Sequence, residues 1–306
     1  MIEGNVMVAR DLAEGNGSAG AASAAGGPTF AIAFGGGGAR GLAHINVIEA
    51  LDELGITPTA ISGSSIGAIM GAGMAAGMSG RDIREYAVAT LSRRAEIAAR
   101  LWRLRPASFG EMFGGGIRLS QFNIERVLRN FLPDRIPDSF EELRIPLSVT
   151  ATDFYGQQEV PIADGDLFSA IAASAAIPAL FRPVRRDDRI LIDGGIYNPV
   201  PFDHLKNKAQ FVIAIDVVGG PEGDIGKFPS SIDAMFGASQ LMMQSIIATR
   251  LRTDPPAIFL RPSVARFGVL DFLRVEQVLR ESAGIKDELK RAVDAAITYV
   301  EHRELE

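Results

Sequence analysis

Hydrophobic and polar positions along the chain alternate between short apolar runs and longer stretches with helical spacing. The apolar runs predict β-strands over residues 30–34, 60–62, 145–153, 189–193, 211–218 and 257–260. The helical patterns predict helices over residues 41–54, 66–78, 81–104, 230–253 and 275–300. Because strands separated by helices form a sheet covered on both faces, the sequence predicts an α/β fold with a mainly parallel central sheet.

Residues 1–28 differ from the rest of the chain. They are rich in Gly, Ala and Ser, with scattered acidic residues and no basic start before an apolar run. This composition predicts a flexible N-terminal tail and no secretory signal. Because no internal repeat or long linker follows, we expect residues 29–306 to form a single domain.

One uncharged stretch, residues 54–80, is long enough to imitate a membrane span. It contains seven glycines together with Pro58, Ser62, Ser64 and Ser65. Those residues predict a strand, a tight turn and a helix that is buried in the core of the fold.

Composition excludes several classes of function. The 306 residues are 47% hydrophobic and 22% charged, which is typical of a folded globular protein. The absence of cysteine rules out disulfides, thiol chemistry and Cys-ligated metal sites, and three histidines make a His-rich metal site unexpected. A net charge of −6 gives no global electrostatic reason to bind nucleic acid. Glycine, with 33 residues, exceeds the average share of about 7%.

The first glycine-rich turn, Gly35 to Gly41, follows a predicted strand and opens a helix. It contains G-x-G-x-x-G at Gly36, Gly38 and Gly41, the pattern of dinucleotide sites. The acidic residue that such sites place about 20 residues later is missing, since the next strand runs into Ser62. The turn therefore presents backbone N–H groups at a helix start, where they can stabilise a phosphate or the negative oxygen of a reaction intermediate.

The second turn is the G-x-S-x-G sequence from Gly63 to Gly67, between a predicted strand and a predicted helix. This context is that of a nucleophile elbow, in which flanking glycines relieve crowding around an exposed serine, here Ser65. The alternative is a Ser/Gly turn that caps a helix.

A serine nucleophile needs a base, and the three histidines fit that role poorly. His44 lies among apolar neighbours inside a predicted helix, which is typical of a packing residue, and His302 lies in the charged C-terminal stretch. His204, which follows a turn, is the best placed of the three.

The third turn offers another base. A predicted strand ends at Asp193, which is followed by Gly194 and Gly195. A carboxylate at a strand's carboxyl end is well placed for chemistry in an open α/β sheet. The alternative is an ordinary Asp-Gly turn.

Together the three turns resemble the patatin-like phospholipases, which are serine lipid acyl hydrolases. The resemblance spans about residues 30–296. It includes the G-G-G-x-R-G and G-x-S-x-G motifs, the Asp-Gly-Gly element, the block from Ala173 to Val184 and the Asp271-Phe272 segment near the end. It implies an α/β-hydrolase-related three-layer architecture, with residues 29–306 as one catalytic domain.

The resemblance also implies roles for individual residues. Ser65 would be the nucleophile and Asp193 its base, so that no histidine, metal or cofactor is needed. The motif residues that it implies for the oxyanion turn are Gly36, Gly37, Gly38, Arg40 and Gly41, with the N–H groups of Gly37 and Gly38 as donors and Arg40 as a brace. Those that shape the elbow and the dyad are Gly63, Gly67, Gly194 and Gly195.

The function that this resemblance implies is hydrolysis of fatty-acyl esters of phospholipids or lysophospholipids. One alternative is an acyltransferase that uses the same dyad with an alcohol acceptor in place of water. A different class is a nucleotide-binding protein that uses Gly36–Gly41, and a third is a catalytically silent interaction domain.

A further hypothesis concerns the membrane. Residues Arg93 to Arg105 carry five arginines and one glutamate, interleaved with Leu101, Trp102 and Leu104. Such a pattern suits docking on an anionic lipid surface, although an ordinary helix with a solvated basic face has the same composition. Gly114 to Gly116 indicates flexibility and would suit a lid. The expected location is the cytoplasm, with peripheral contact at a membrane and no nucleic-acid partner.

Overall fold

The computed structural model describes residues 6–8, 27–92, 123–224, 226 and 228–304. The basic segment Arg93–Arg105 and the glycines at 114–116 lie outside the described residues.

Nine strands in these ranges form one sheet. They are β1 (Val6–Val8), β2 (Phe30–Phe34), β3 (Ile61–Ser64), β4 (Leu147–Asp153), β5 (Gln158–Ile162), β6 (Val184–Arg186), β7 (Arg189–Asp193), β8 (Phe211–Ile215) and β9 (Ile258–Leu260). The central strands run in the order β9-β8-β2-β3-β4, and every pair among these neighbours is parallel. The remaining strands join at the margins by antiparallel pairing.

Eight α-helices connect and cover these strands in the described ranges. They are α1 (His44–Glu53), α2 (Ile66–Ala75), α3 (Gly80–Leu91), α4 (Ile124–Phe131), α5 (Leu167–Ser174), α6 (Ser231–Thr253), α7 (Val275–Glu281) and α8 (Ile285–Glu304). A 3₁₀ helix, Gly38–Ala43, precedes α1, and another, Gly194–Ile196, follows β7.

The alternation of side chains along β2 separates two apolar layers, because successive residues of a strand point to opposite faces. Phe30, Ile32 and Phe34 belong to the large core that contains apolar residues of α1, α2, α5 and α8. Ala31 and Ala33 belong to a smaller core on the other face, which contains Ile247 of α6 and several residues between 200 and 205. The prediction of a mainly parallel central sheet with helices on both faces is confirmed.

Two expectations from the sequence need correction. Residues 6–8 lie in the predicted tail but form β1, which pairs antiparallel with β9 and gives the backbone of that strand a partner on its outer side. The helix predicted over 275–300 is two helices, α7 and α8. The break lies at Ser282. Its hydroxyl donates a hydrogen bond to the carbonyl of Val278 and accepts one from Nδ2 of Asn46.

The uncharged stretch 54–80 contains the buried strand β3 and the helix α2, as predicted. Within the described ranges, no helix combines the length and apolarity that crossing a bilayer requires.

Candidate active site

The ends of β3 and β7 meet beside β4. β3 pairs with β4 from Leu147 to Thr150, and β7 pairs with β4 from Ala151 to Asp153. Since β5 occupies the other side of β4 along Val149–Asp153, β3 and β7 must share one side of β4, one after the other. β7 runs antiparallel to β4 and ends at Asp193 opposite Ala151, one residue beyond the Ser64–Thr150 pair. This arrangement brings Asp193 to Ser65.

Ser65 occupies a strained turn between β3 and α2. Its φ of 54° and ψ of −123° lie in a region that costs a non-glycine residue about 1–3 kcal/mol. The turn is held by Ser174, whose hydroxyl accepts a 2.8 Å hydrogen bond from the Ser65 N–H. Tight packing also requires glycine nearby, because a Cβ on Gly67 would lie 2.1 Å from the carbonyl oxygen of Phe34. The G-x-S-x-G sequence therefore folds into an elbow that presents the Ser65 hydroxyl.

The Ser65 hydroxyl donates a 2.6 Å hydrogen bond to Oδ2 of Asp193. The other carboxylate oxygen, Oδ1, accepts from the N–H of Gly195 at 2.8 Å, which fixes the plane of the group. Both residues are buried, with exposed fractions of 5% for Ser65 and 4% for Asp193.

Burial raises the pKa of Asp193 to about 6, although the hydrogen bonds from Ser65 and Gly195 act in the opposite direction. A carboxylate with this pKa is a better base than an ordinary aspartate and is ionised at neutral pH. The pair can therefore transfer a proton from the serine to the aspartate.

The Gly35–Gly41 turn faces the same serine. Gly36 lies close to it, since a Cβ on Gly36 would be 3.3 Å from Cβ of Ser65. The N–H of Gly36 donates to the carbonyl of Pro199, and that of Ala39 donates to the carbonyl of Val269. Within the described ranges, the N–H groups of Gly37 and Gly38 have no hydrogen-bond acceptor. These two amides are free to bind a negative oxygen.

Buried polar side chains hold this turn in shape. Nε of Arg40 donates to the carbonyl of Phe267 at 2.7 Å, and Nη1 donates to the carbonyl of Val218. The ring of His44 lies 5.0 Å from that of Phe34, and its Nε2 is 2.9 Å from the carbonyl oxygen of Gly35. Because burial lowers the pKa of His44 to about 4, the ring is neutral at pH 7 and its Nε2–H donates.

The remaining glycines named from the sequence shape the backbone. Gly38 has a φ of +60°, which favours glycine, and Gly41 packs against Ile66 so closely that a Cβ would lie 2.2 Å from Cγ2 of that residue. Gly63 and Gly194 likewise lie against backbone atoms of the elbow and of β4. None of these positions adds a charge to the site.

His204 lies in a separate cluster. Its Nε2 is 2.7 Å from Oε1 of Glu159, and Arg250 pairs with Glu159 and Asp203. Glu159, Asp203 and His204 have a spacing that could suit a metal ion. The guanidinium of Arg250, which already bonds both carboxylates, makes the cluster a poor cation site. Asn198, which donates to Glu159 and Asp203, links it to the loop after Asp193.

Two cavities share Ser65, Gly38 and Ile177 in their walls. The larger, which we call the apolar chamber, has a volume of about 340 Å³ and extends between α2, α3 and α4. The described residues in its wall carry no charge, and the helices contribute Ile66, Met70, Ile83, Ala87, Ile124 and Leu128. The smaller, which we call the second chamber, has a volume of about 100 Å³ and is bounded by Arg40, Asp193 and residues of α6.

Sequence reasoning gave no role to Ser174 and placed His44 only as a packing residue. Ser174 lies in the Ala173–Pro178 block that contributed to the resemblance, and this was the only signal for it. His44 opens α1 three residues after Gly41, a position from which it can reach back to the turn. The chambers could not be found from the sequence, because their walls come from helices that are distant in the chain.

Comparisons with known proteins bear on the family of the chain. The sequence model of a family described as patatin-like phospholipase matches residues 32–206. An uncharacterized NTE family protein of Mycobacterium tuberculosis is 36% identical over 197 residues, which cover 64% of this chain and 51% of that protein. Patatin-like phospholipase domain-containing protein 6 of Homo sapiens is 31% identical over 220 residues, which cover 67% of this chain and 14% of that protein.

Among solved structures, VipD from Legionella pneumophila aligns with a TM-score of 0.42 and 15% identity over 88% of this chain and 69% of that chain. The chain spans about half the length of the mycobacterial relatives that it matches.

Proposed function

The chain belongs to the patatin-like phospholipase family, and we propose that it is a serine acyl hydrolase that cleaves fatty-acyl esters of phospholipids or lysophospholipids. The observation that carries the proposal is the buried hydrogen bond of 2.6 Å from Ser65 Oγ to Asp193 Oδ2, beside a turn with two free amides. A nucleophile, a base and oxyanion donors are the three groups that acyl transfer requires.

In the first half of the reaction, Ser65 Oγ attacks the ester carbonyl carbon while its proton passes to Asp193. The carbonyl oxygen becomes negative and accepts hydrogen bonds from the N–H groups of Gly37 and Gly38. Losing one such donor typically lowers turnover by about 10²–10³-fold. The bond to the alcohol then breaks, and the alcohol oxygen takes the proton from Asp193, which leaves the acyl group on Ser65.

In the second half, water replaces the alcohol. Asp193 takes a proton from the water as the water oxygen attacks the acyl carbon, and the same two amides stabilise the oxyanion again. The bond to Ser65 Oγ breaks, the serine recovers its proton from Asp193, and the fatty acid leaves. Because Asp193 lines the second chamber, the alcohol and the water are expected to approach and depart there.

The two chambers fit the two parts of an ester. The apolar chamber reaches Ser65 and has no charged residue in its described wall, so it suits a hydrocarbon chain. Each methylene that moves from water into such a chamber contributes about 0.8 kcal/mol. The chamber therefore favours long acyl chains over short ones.

This preference gives a direct test on a series of monomeric esters with acyl chains of increasing length. We expect kcat/KM to rise by about fourfold for each added methylene until the chamber is filled. Ala87→Phe, which places a ring in the chamber wall, should reduce hydrolysis of long chains and spare the acetate ester. Ala89→Phe is the matched control, because Ala89 lies on the exposed side of α3. Equal rates for acetate and long-chain esters would contradict the proposal.

The geometry favours this function over nucleotide binding. The N–H groups of Gly35, Gly36 and Ala39 already donate to protein carbonyls, so the turn has fewer amides for a pyrophosphate than its glycine pattern suggests. The acyltransferase alternative uses the same groups and differs only in the acceptor that enters after the first alcohol leaves.

A further inference from the structure

Three apolar side chains at the two chambers are exposed to solvent. Ile196 and Met235 line the second chamber, and Leu270 lines the apolar chamber. Their exposed fractions are 37%, 43% and 50%. We call these three residues the rim. Since both chambers contain Ser65 in their walls, each residue of the rim lines a cavity that reaches the nucleophile.

The exposed apolar surface continues beyond the rim. Tyr197 follows Ile196, and Leu273 lies three residues after Leu270; both are exposed. Met242, also exposed, lies seven residues after Met235 and therefore on the same side of α6. Exposed apolar side chains at the cavities of a candidate active site mark an interaction surface more strongly than scattered ones do.

We propose that the rim docks on the surface of a phospholipid bilayer through apolar contact. The inference rests on the proposed function, because it supplies a route for the acyl chain. A chain that left a bilayer and crossed water would expose its methylenes, at a cost of about 0.8 kcal/mol each. A rim seated in the bilayer surface removes the crossing through water and lets the acyl chain pass directly into the apolar chamber.

The chemistry of the rim determines which kind of lipid surface it fits. The charged residues that follow Leu270, Asp271 and Arg274, pair with each other, and the chain as a whole carries a net charge of −6, so no unpaired positive charge of that segment attracts an anionic surface. Docking through the rim therefore needs no anionic lipid and should be insensitive to salt. Docking through the basic segment Arg93–Arg105 would need anionic lipid and would weaken in salt.

Co-sedimentation with vesicles of neutral phosphatidylcholine tests the proposal. The protein carries Ser65→Ala so that the vesicles are not hydrolysed, and binding is measured at low and high salt. The combined substitution Ile196→Ser, Met235→Gln and Leu270→Ser should lower the partition coefficient at least about tenfold. Leu54→Ser is the matched control, because Leu54 is also 37% exposed but lies between α1 and the start of β3, whereas Ser65 follows the end of β3.

A gain-of-binding variant keeps the test valid if the combined variant does not fold. Leu270→Trp should raise the partition coefficient and shift tryptophan emission to shorter wavelength when vesicles are added, because tryptophan favours the bilayer interface. Leu54→Trp should show no such shift. The chain's one native tryptophan, Trp102, is the baseline in both proteins.

Three results would overturn the proposal. The first is a rim variant that partitions as strongly as the unmodified rim. The second is binding that requires anionic lipid and disappears in salt. The third is a rim variant that changes only self-association, which would show that a second copy covers the rim. Hydrolysis of a monomeric butyrate ester by the wild-type protein reports on the proposed function separately, since it needs no vesicle.

Discussion

Replacing Ser65 with alanine is expected to lower kcat for ester hydrolysis by at least about 10⁴-fold, the scale typical of a lost nucleophile. The substitution removes the atom that forms the acyl-enzyme and leaves the carboxylate of Asp193, among the described residues, with the hydrogen bond from Gly195 alone. Steady-state hydrolysis of a monomeric ester measures the effect, and circular dichroism checks the fold.

The chain offers a close control in Ser64→Ala. Ser64 is buried next to Ser65, and its hydroxyl has no hydrogen-bond partner among the described residues. Its removal should therefore leave kcat within a few-fold of the wild type. If Ser65→Ala kept wild-type activity, or if both variants lost activity equally, Ser65 would not be the nucleophile.

Asp193→Asn is expected to lower kcat by about 10⁴-fold, because an amide keeps the shape of the carboxylate but cannot accept the proton of Ser65. Asp153→Asn is the matched control, since Asp153 is also buried and lies at the end of β4 without contact to the nucleophile. Activity in Asp193→Asn close to that of the wild type would require another base.

The same variant should be more stable than the wild type at neutral pH. The pKa of Asp193 rises from 3.8 to about 6 on folding, so its contribution to stability is complete below pH 4 and is lost as the pH rises through about 6. Above pH 6 the buried charge costs up to about 3 kcal/mol, and asparagine avoids this cost. Denaturant unfolding at pH 4 and pH 7 should show a stability gain at pH 7 that disappears at pH 4. A gain of equal size at both values would contradict the assignment.

The three turns that carry the proposed chemistry could be located from the sequence because each needs glycine at fixed positions. β2 begins and ends at the predicted residues, and the predicted strand over 189–193 is β7. Local sequence patterns were sufficient to predict these two strands, since each is a continuous apolar run bounded by turn residues.

The meeting of Ser65 and Asp193 could not be predicted from local patterns. It depends on β3 ending at Ser64 while β7 enters along the same side of β4, which is a property of strand pairing between distant segments. Only the family resemblance connected the two residues in advance. The same limit applies to Ser174, which reaches the Ser65 N–H from 109 positions away in the chain.

Short marginal elements were missed for a different reason. β5 contains Pro161, which lacks an N–H and is tolerated because β5 pairs with β4 alone among the described strands. β1 is a three-residue apolar run in a Gly- and Ala-rich stretch, and the composition of that stretch as a whole predicts a flexible tail. In both, pairing with a neighbouring strand outweighs weak local preference.

The central claim is that Asp193 activates Ser65, and reaction with a fluorophosphonate probe tests it most directly. The probe's phosphorus should bond to Ser65 Oγ as its bond to fluorine breaks, fluoride leaves and the serine proton passes to Asp193, and peptide mapping should find the label on Ser65. The second-order rate of labelling should rise with pH, about tenfold per unit below pH 6, and level off above it as Asp193 becomes fully ionised. Labelling of another residue, or a rate at Ser65 that does not change through pH 6 and is unaffected by Asp193→Asn, would contradict the account.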